Sequence, residues 1–110
     1  MEKLPRVRIM EEAARLSNER GKAHGPLHRS FGGIAAMWSA YLTSVMTART
    51  GEYREIVLHG RDVAHMMVAL KQMRIEFGDA TIVDNYVDMV GYAGIAGELS
   101  GANVIEKGNK

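Results

Sequence analysis

Apolar side chains recur at intervals of three and four residues along most of this chain, and this spacing limits the folds that it can adopt. It places the apolar residues on one side of an α-helix, whereas a half-buried strand would alternate apolar and polar residues. We therefore expect an all-α protein. Two stretches show the pattern most clearly, through Ile34, Met37, Trp38, Tyr41, Leu42 and Val45 and through Val63, Met66, Met67, Leu70, Met73 and Phe77.

Glycine and proline divide the chain into four predicted helices. Gly21 is expected to end the first helix, Gly78 to close the third, and Thr81 to cap the fourth. Residues 52–60 fit a turn, a helix extension or a brief strand equally well. The expected fold is a four-helix, bundle-like single domain over residues 1–100, followed by a polar tail over residues 101–110. The predicted helices run from about Pro5 to Arg20, Leu27 to Ala48, Gly60 to Phe77, and from after Thr81 to about Leu99.

Composition excludes several classes of protein. The 110 residues are 46% hydrophobic and 25% charged, and the formal net charge of +1 disfavours a dedicated nucleic-acid binder. The absence of cysteine excludes disulfides and thiolate metal sites. No apolar run approaches the roughly 20 residues that a membrane span needs, and the N-terminus lacks the apolar region of a signal peptide. We expect a soluble, cytoplasmic domain.

Three glycines lie within the predicted fourth helix, at Gly91, Gly94 and Gly97. Each costs roughly 0.5–1 kcal/mol relative to alanine, so something should offset the cost. Close approach of another helix, from this chain or from a second subunit, would do so; a loosely helical C-terminal end is the alternative. Because a small helical domain also gains from oligomerisation, we expect a homodimer or a larger oligomer.

The densest set of chemically useful residues comprises Lys71, Arg74, Asp84, Asn85 and Asp88. Residues three or four apart share a helix face, and a short connector makes the third and fourth helices antiparallel neighbours. One interpretation is an interhelical network of ion pairs. The other is a site in which Asp84 and Asp88 bind Mg²⁺ and act catalytically, Lys71 and Arg74 neutralise phosphate charge, and Asn85 orients the ligand.

Two further residues are candidates for ligand binding. His24 lies in a connector flanked by Gly25 and Pro26, outside any apolar stripe, where it could reach a ligand or simply face solvent. Tyr92 follows Asp88 by four residues and could line the edge of a pocket. His24 and His28 straddle Pro26, which argues against a zinc site on one continuous helix.

Several motifs together resemble a family of small phage and prophage domains of unknown function. The resemblance covers roughly residues 15 to 99, and its most specific part is the block from Asp84 to Ala93. The family usually has an acidic residue after the His-Gly pair, where this chain has Pro26. The motifs are Arg20-x-x-x-His24-Gly25, Ala36-Met37-Trp38-Ser39-Ala40-Tyr41-Leu42, Asp62-Val63-Ala64-x-Met66-Met67, Leu70-Lys71-x-x-Arg74 and Asp84-Asn85-Tyr86-Val87-Asp88-x-x-Gly91-Tyr92-Ala93.

The chain is also distantly similar to the all-α nucleotide pyrophosphohydrolases of the MazG and dUTPase-like kind. Those proteins are oligomeric and Mg²⁺-dependent, and use E-x-x-E on one helix and E-x-x-D on the next. Asn85-x-x-Asp88 resembles the second motif with one carboxylate lost. Lys71 and Arg74 stand where the first motif would place acids, so the full set of four carboxylates is not present.

These features lead to two hypotheses. In the first, a phage-type protein binds or hydrolyses a nucleotide, or another phosphorylated small molecule, between the third and fourth helices, with His24 completing the pocket. In the second, the chain is a non-catalytic, homo-oligomeric interaction module; a protein that only sequesters nucleotides lies between the two. The sequence leaves open whether the protein is an enzyme.

Overall fold

The computed structural model describes residues 2–105, and for His24 it describes the backbone alone. Four helices span most of that range and no strand forms within it, which confirms the all-α prediction. Residues 101–105 follow without helix or strand, and the rest of the predicted tail, residues 106–110, lies outside the described part. The helices are α1 Pro5–His24, α2 Leu27–Thr50, α3 Gly60–Phe77 and α4 Val83–Leu99.

Helix α4 packs against α3 and α1, and α2 packs mainly against α3. The fully buried apolar residues are all small, which allows the helix axes to approach closely. The core is therefore thin, and it leaves many larger apolar side chains at the surface. Its members are Ala13, Ala35, Val63, Ala64, Val87 and Ala96.

The end of α1 differs from the prediction. Gly21 does not stop the helix, which continues for another turn to His24. A single glycine costs only about 1 kcal/mol within a helix, so helix packing can override it. Gly25 ends the helix instead, because its φ of 74° suits glycine and because a residue before proline avoids the helical region.

Residues 52–58, which we call the strap, run back along the second half of α2 without forming a strand. Three hydroxyls one helical turn apart on α2 accept from alternate backbone N–H groups of the strap. The spacing of the hydroxyls along α2 matches the spacing of alternate N–H groups along the strap, because four helical residues rise about 6.0 Å and two extended residues about 6.6 Å. The bonds join Leu58 N to Ser39 Oγ at 2.8 Å, Ile56 N to Thr43 Oγ1 at 2.9 Å, and Arg54 N to Thr47 Oγ1 at 3.1 Å.

The turn between α3 and α4 is built on Asp79 rather than on the predicted Thr81 cap. One oxygen of Asp79 accepts from the Thr81 hydroxyl at 2.6 Å and from the Thr81 backbone N–H at 2.8 Å. Both hydrogen bonds lower the pKa of Asp79, and the bond from the Thr81 hydroxyl has the larger effect. Ile82 is the N-cap residue of α4, and no side chain caps that end.

Only part of each predicted apolar stripe is buried. On α3, Val63 is buried, whereas Met66 is 43% exposed, Met73 48% and Phe77 88%. On α2, Ala35 is buried and Trp38 half-buried, whereas Met37 is 74% exposed and Tyr41 68%. The apolar stripes therefore predicted a buried face that the single chain provides only in part: Met66, Met73 and Tyr41 are exposed, whereas Met67 is half-buried.

No helix within residues 2–105 combines the length and the apolar character needed to cross a membrane.

Candidate functional site

The predicted charge cluster is centred on an ion pair between α3 and α4. Lys71 Nζ lies 2.9 Å from Asp88 Oδ2, and the two side chains are only 13% and 18% exposed. A pair this close and this well shielded from water interacts more strongly than a surface pair. This contact brings together the two helices that the sequence predicted to be neighbours.

A third helix reaches the same carboxylate. Arg20 Nη1, on α1, lies 3.7 Å from Asp88 Oδ1. Asp88 therefore faces one cation on each oxygen, and Arg20 itself remains 55% exposed. We define the α1/α3/α4 junction as Arg20, Lys71 and Asp88. Sequence reasoning missed Arg20 as a site residue, although it opens the motif that ends at His24 and Gly25.

Asn85 and Tyr92 flank Asp88 on α4. Asn85, one turn before Asp88, is buried at 8% exposure. Tyr92, one turn after it, is half-buried, and its ring lies 6.5 Å from that of Phe31 on α2 with an interplanar angle of 58°. Such a tilted pair contributes to helix packing. Tyr92 is therefore engaged with α2 on at least one face.

Arg74 and Asp84 are exposed and lie at helix ends. Arg74 is in the last turn of α3 and Asp84 in the first turn of α4, where each charge is favourable to the dipole of its helix. Within residues 2–105 neither forms an ion pair shorter than 4.0 Å. The structure thus brings Lys71 and Asp88 together and leaves the other two charges at the surface.

Within residues 2–105, the oxygen and nitrogen donors around Asp88 are too few to form a metal centre by themselves. Among the described residues, no three His, Asp or Glu side chains lie close enough together to hold one. Asp88 already has Lys71 at 2.9 Å. Mg²⁺ bound by Asp84 and Asp88 would need further oxygen donors, such as the phosphates of a ligand, and this site stays a prediction.

His24, the remaining predicted ligand-binding residue, is the last residue of α1 rather than part of a connector. Its side chain lies outside the described part of the chain.

Two surface pockets lie away from the junction and were not predicted. The first, of about 360 Å³, opens where α2 and α3 begin and α4 ends, and is lined by His28, His59, Arg61 and Ser100 among others. Gly60 also lines this pocket and is closely packed, since a Cβ there would lie 3.3 Å from both Leu99 Cδ1 and Phe31 Cβ. No sequence signal existed for this close approach, because glycine is well tolerated at the start of a helix.

The second pocket, of about 730 Å³, lies along the glycine face of α4 and includes Gly94, Gly97 and Val104. Among the described residues, a Cβ at Gly94 or Gly97 would meet no atom within 4 Å, and one at Gly91 would meet only Ser17 Oγ, at 4.0 Å. The predicted close helix contact is therefore wrong within one chain at Gly94 and Gly97. Contact with a second subunit there stays a prediction.

Comparison with known families identifies one match. Residues 8–100 match a family described as a domain of unknown function, DUF6378. Comparison with curated proteins and with solved structures gives no match. The family match carries no information on a phage origin or on similarity to MazG-type proteins, so both stay predictions.

Proposed function

The chain belongs to the DUF6378 family of unknown function, and from that premise we propose that it is a self-associating, non-catalytic helical module. The observation that carries this proposal is the exposed apolar surface of α2 and α3. Residues 30–48 of α2 contain no charged side chain, yet one face of that stretch, with Ile34, Met37 and Tyr41, faces solvent. Helices that lack a charged face are usually buried on all sides.

The surface area supports the same proposal. The chain exposes 8484 Å², whereas a compact monomer of 12.1 kDa exposes about 6,000 Å². Its radius of gyration is 17.2 Å, against about 13 Å expected for a compact domain of this length. An excess of about 2,500 Å² per chain amounts to about 5,000 Å² for a dimer, which is at the upper end of what obligate homodimers bury.

The test uses paired substitutions of equal chemistry. Sedimentation of the wild type should give a mass that is a multiple of 12.1 kDa. Met37→Glu with Met73→Glu, one on each exposed face, should raise the dissociation constant at least about a hundredfold, because apolar contacts are lost and charges are buried. Leu4→Glu with Met10→Glu is the control, since these side chains are also about half exposed, at 49% and 50%, but lie outside both faces.

A wild type that sediments as a monomer at hundreds of micromolar would contradict the proposal. So would a wild-type oligomer that the control pair dissociates as readily as the test pair.

The α1/α3/α4 junction favours a second candidate function, the binding of a nucleotide or another phosphorylated small molecule in the cytoplasm. Arg20 and Lys71 place two cations around the single carboxylate of Asp88, with Asn85 buried one turn away. Cations of this kind bind phosphate oxygens. The resemblance to phage domains and to MazG-type proteins supports a nucleotide as the ligand and Mg²⁺, with Asp84 and Asp88 as its ligands, as the cofactor.

A thermal-shift titration with nucleoside triphosphates, with and without Mg²⁺, tests this candidate. A ligand at about 100 times its dissociation constant adds about 2.7 kcal/mol of stability. Lys71→Met should abolish that gain, whereas Arg54→Met should keep it, because Arg54 is exposed on the strap. If no nucleotide stabilises the wild type under either condition, this candidate is wrong, and self-association is unaffected.

A further inference from the structure

Four apolar side chains of α3, which we call the seam, lie on one face of the helix and are exposed to solvent. They are spaced by four, three and four residues, which is the spacing of a helix-pairing stripe. Ala64 and Lys71 lie on the other side of α3 and are turned into the chain. The seam residues are Met66, Leu70, Met73 and Phe77, with exposures of 43%, 39%, 48% and 88%.

We propose that the seam pairs with the same seam of a second copy, with the two α3 helices antiparallel about a twofold axis that passes between Leu70 and Met73. The inference rests on the proposed self-association and identifies its interface and symmetry. A twofold contact must be self-complementary, because the same patch lies on both sides. The seam meets this requirement.

The spacing supplies the complementarity. The intervals between successive seam residues are four, three and four, and this order is the same from either end of the helix. An antiparallel copy therefore aligns every seam residue with a seam residue. Met66 then faces the partner's Phe77, and Leu70 faces the partner's Met73. The two kinds of aligned pair, Met66 with the partner's Phe77 and Leu70 with the partner's Met73, have similar combined side-chain volumes. This similarity favours even packing along about 17 Å of helix.

The flanking charges agree with the same register. Arg74 follows the seam on one side and would lie beside the partner's Met67; Glu76 lies on the other side and would face the partner's Ala69. In this register neither Arg74 nor Glu76 is level with a like charge of the partner's α3. Antiparallel helices also place opposite ends of their dipoles together, whereas parallel helices place like ends together.

Cysteine cross-linking tests the register directly, because the chain has no cysteine of its own. Chains carrying Leu70→Cys are refolded together with chains carrying Met73→Cys and oxidised mildly. About half of the dimers formed at random are mixed, and these should form a disulfide. Met66→Cys mixed with Phe77→Cys should do the same.

Met66→Cys mixed with Leu70→Cys is the matched control. In the proposed register these positions are seven residues out of alignment, about 10 Å along the axis, and should not cross-link. All four positions are exposed in the single chain, so these substitutions should leave its fold intact.

The outcomes are distinct. Disulfides between chains that carry the same single substitution, at each seam position, would show a parallel pairing and overturn the antiparallel register. An oligomer without any seam disulfide would place the interface elsewhere, on α2 or on the glycine face of α4. A wild type that is monomeric in sedimentation would instead overturn the proposed self-association itself.

Discussion

Asp88 is the residue at which three helices meet. Its carboxylate lies 2.9 Å from the ammonium group of Lys71 and 3.7 Å from the guanidinium group of Arg20. Removing its charge would leave the Lys71 ammonium, only 13% exposed, without a counterion. Removing the charge of Lys71 would leave Asp88 with Arg20 still beside it. The two halves of the pair are therefore not equivalent.

We expect Asp88→Asn to lower the free energy of unfolding by about 2 kcal/mol, between the values for fully buried and for exposed pairs. Lys71→Met should cost less, because Arg20 remains to balance Asp88. Asp84→Asn is the control on the same helix; it should cost at most about 0.5 kcal/mol, from the helix dipole alone. Urea unfolding measures all three, and an equal loss from Asp84→Asn and Asp88→Asn would contradict the expectation.

Two helical glycines, Gly60 and Gly94, differ in the space around them. Gly60 lies where a Cβ would approach Leu99 and Phe31 at 3.3 Å, whereas a Cβ at Gly94 would meet open space. Gly60→Ala should thus lower stability by about 1 kcal/mol, because the helix-borne Phe31 must shift. Gly94→Ala should raise it by about 0.5–1 kcal/mol through helix propensity. Thermal unfolding of the two variants checks the opposite signs; a gain from Gly60→Ala would show that the contact relaxes easily.

At the scale of elements, the strap is held to α2 by side-chain hydroxyls rather than by a strand partner. Thr43 both accepts from Ile56 N at 2.9 Å and donates to Ile56 O at 3.3 Å. Within the described part of the chain, Thr47 makes a single such bond to the strap, accepting from Arg54 N. The Thr43 bonds are also the more buried. Their loss should therefore matter more.

We expect Thr43→Val to lower the free energy of unfolding by about 1–2 kcal/mol, because an isosteric side chain leaves the Ile56 backbone groups unpaired. Thr47→Val, which removes one exposed bond, should cost clearly less. Amide hydrogen exchange at Ile56 should accelerate in the Thr43 variant. Equal stability of the two variants would indicate that the strap is held by its apolar residues and not by these hydroxyls.

For the whole molecule, the central feature is how little of the apolar stripes a single chain buries. If a second copy covers them, folding and association are coupled, and stability depends on protein concentration. The melting temperature of the wild type should then rise by several degrees over a hundredfold range of concentration, since each tenfold step contributes about 1.4 kcal/mol per dimer. Calorimetry measures this shift. Met37→Glu with Met73→Glu should abolish it, and a wild-type melting temperature independent of concentration would contradict coupled association.

The sequence by itself determined the elements of this protein. Apolar residues spaced by three and four around Trp38 and Leu70 indicate helices in both stretches. This signal is local, because it reflects only the period of the α-helix. Phe77 and Leu99 end α3 and α4 as predicted, for local reasons. A Cβ at Gly78 would lie 2.7 Å from the backbone oxygen of Arg74, and Gly101 has a φ of 83°. The pairing of Lys71 with Asp88 also followed from spacing and a short connector.

Only the tertiary structure decided the rest, because those features depend on neighbours that are distant in the chain. Arg20 reaches Asp88 because α1 packs against α4, and no local pattern predicts that arrangement. The strap takes its path from hydroxyls 7 to 19 residues away. A stripe of apolar residues marks a face that avoids water, but it does not state what covers that face. The packing of α3 decides this point, since it buries Val63 and leaves Met66, Met73 and Phe77 at the surface.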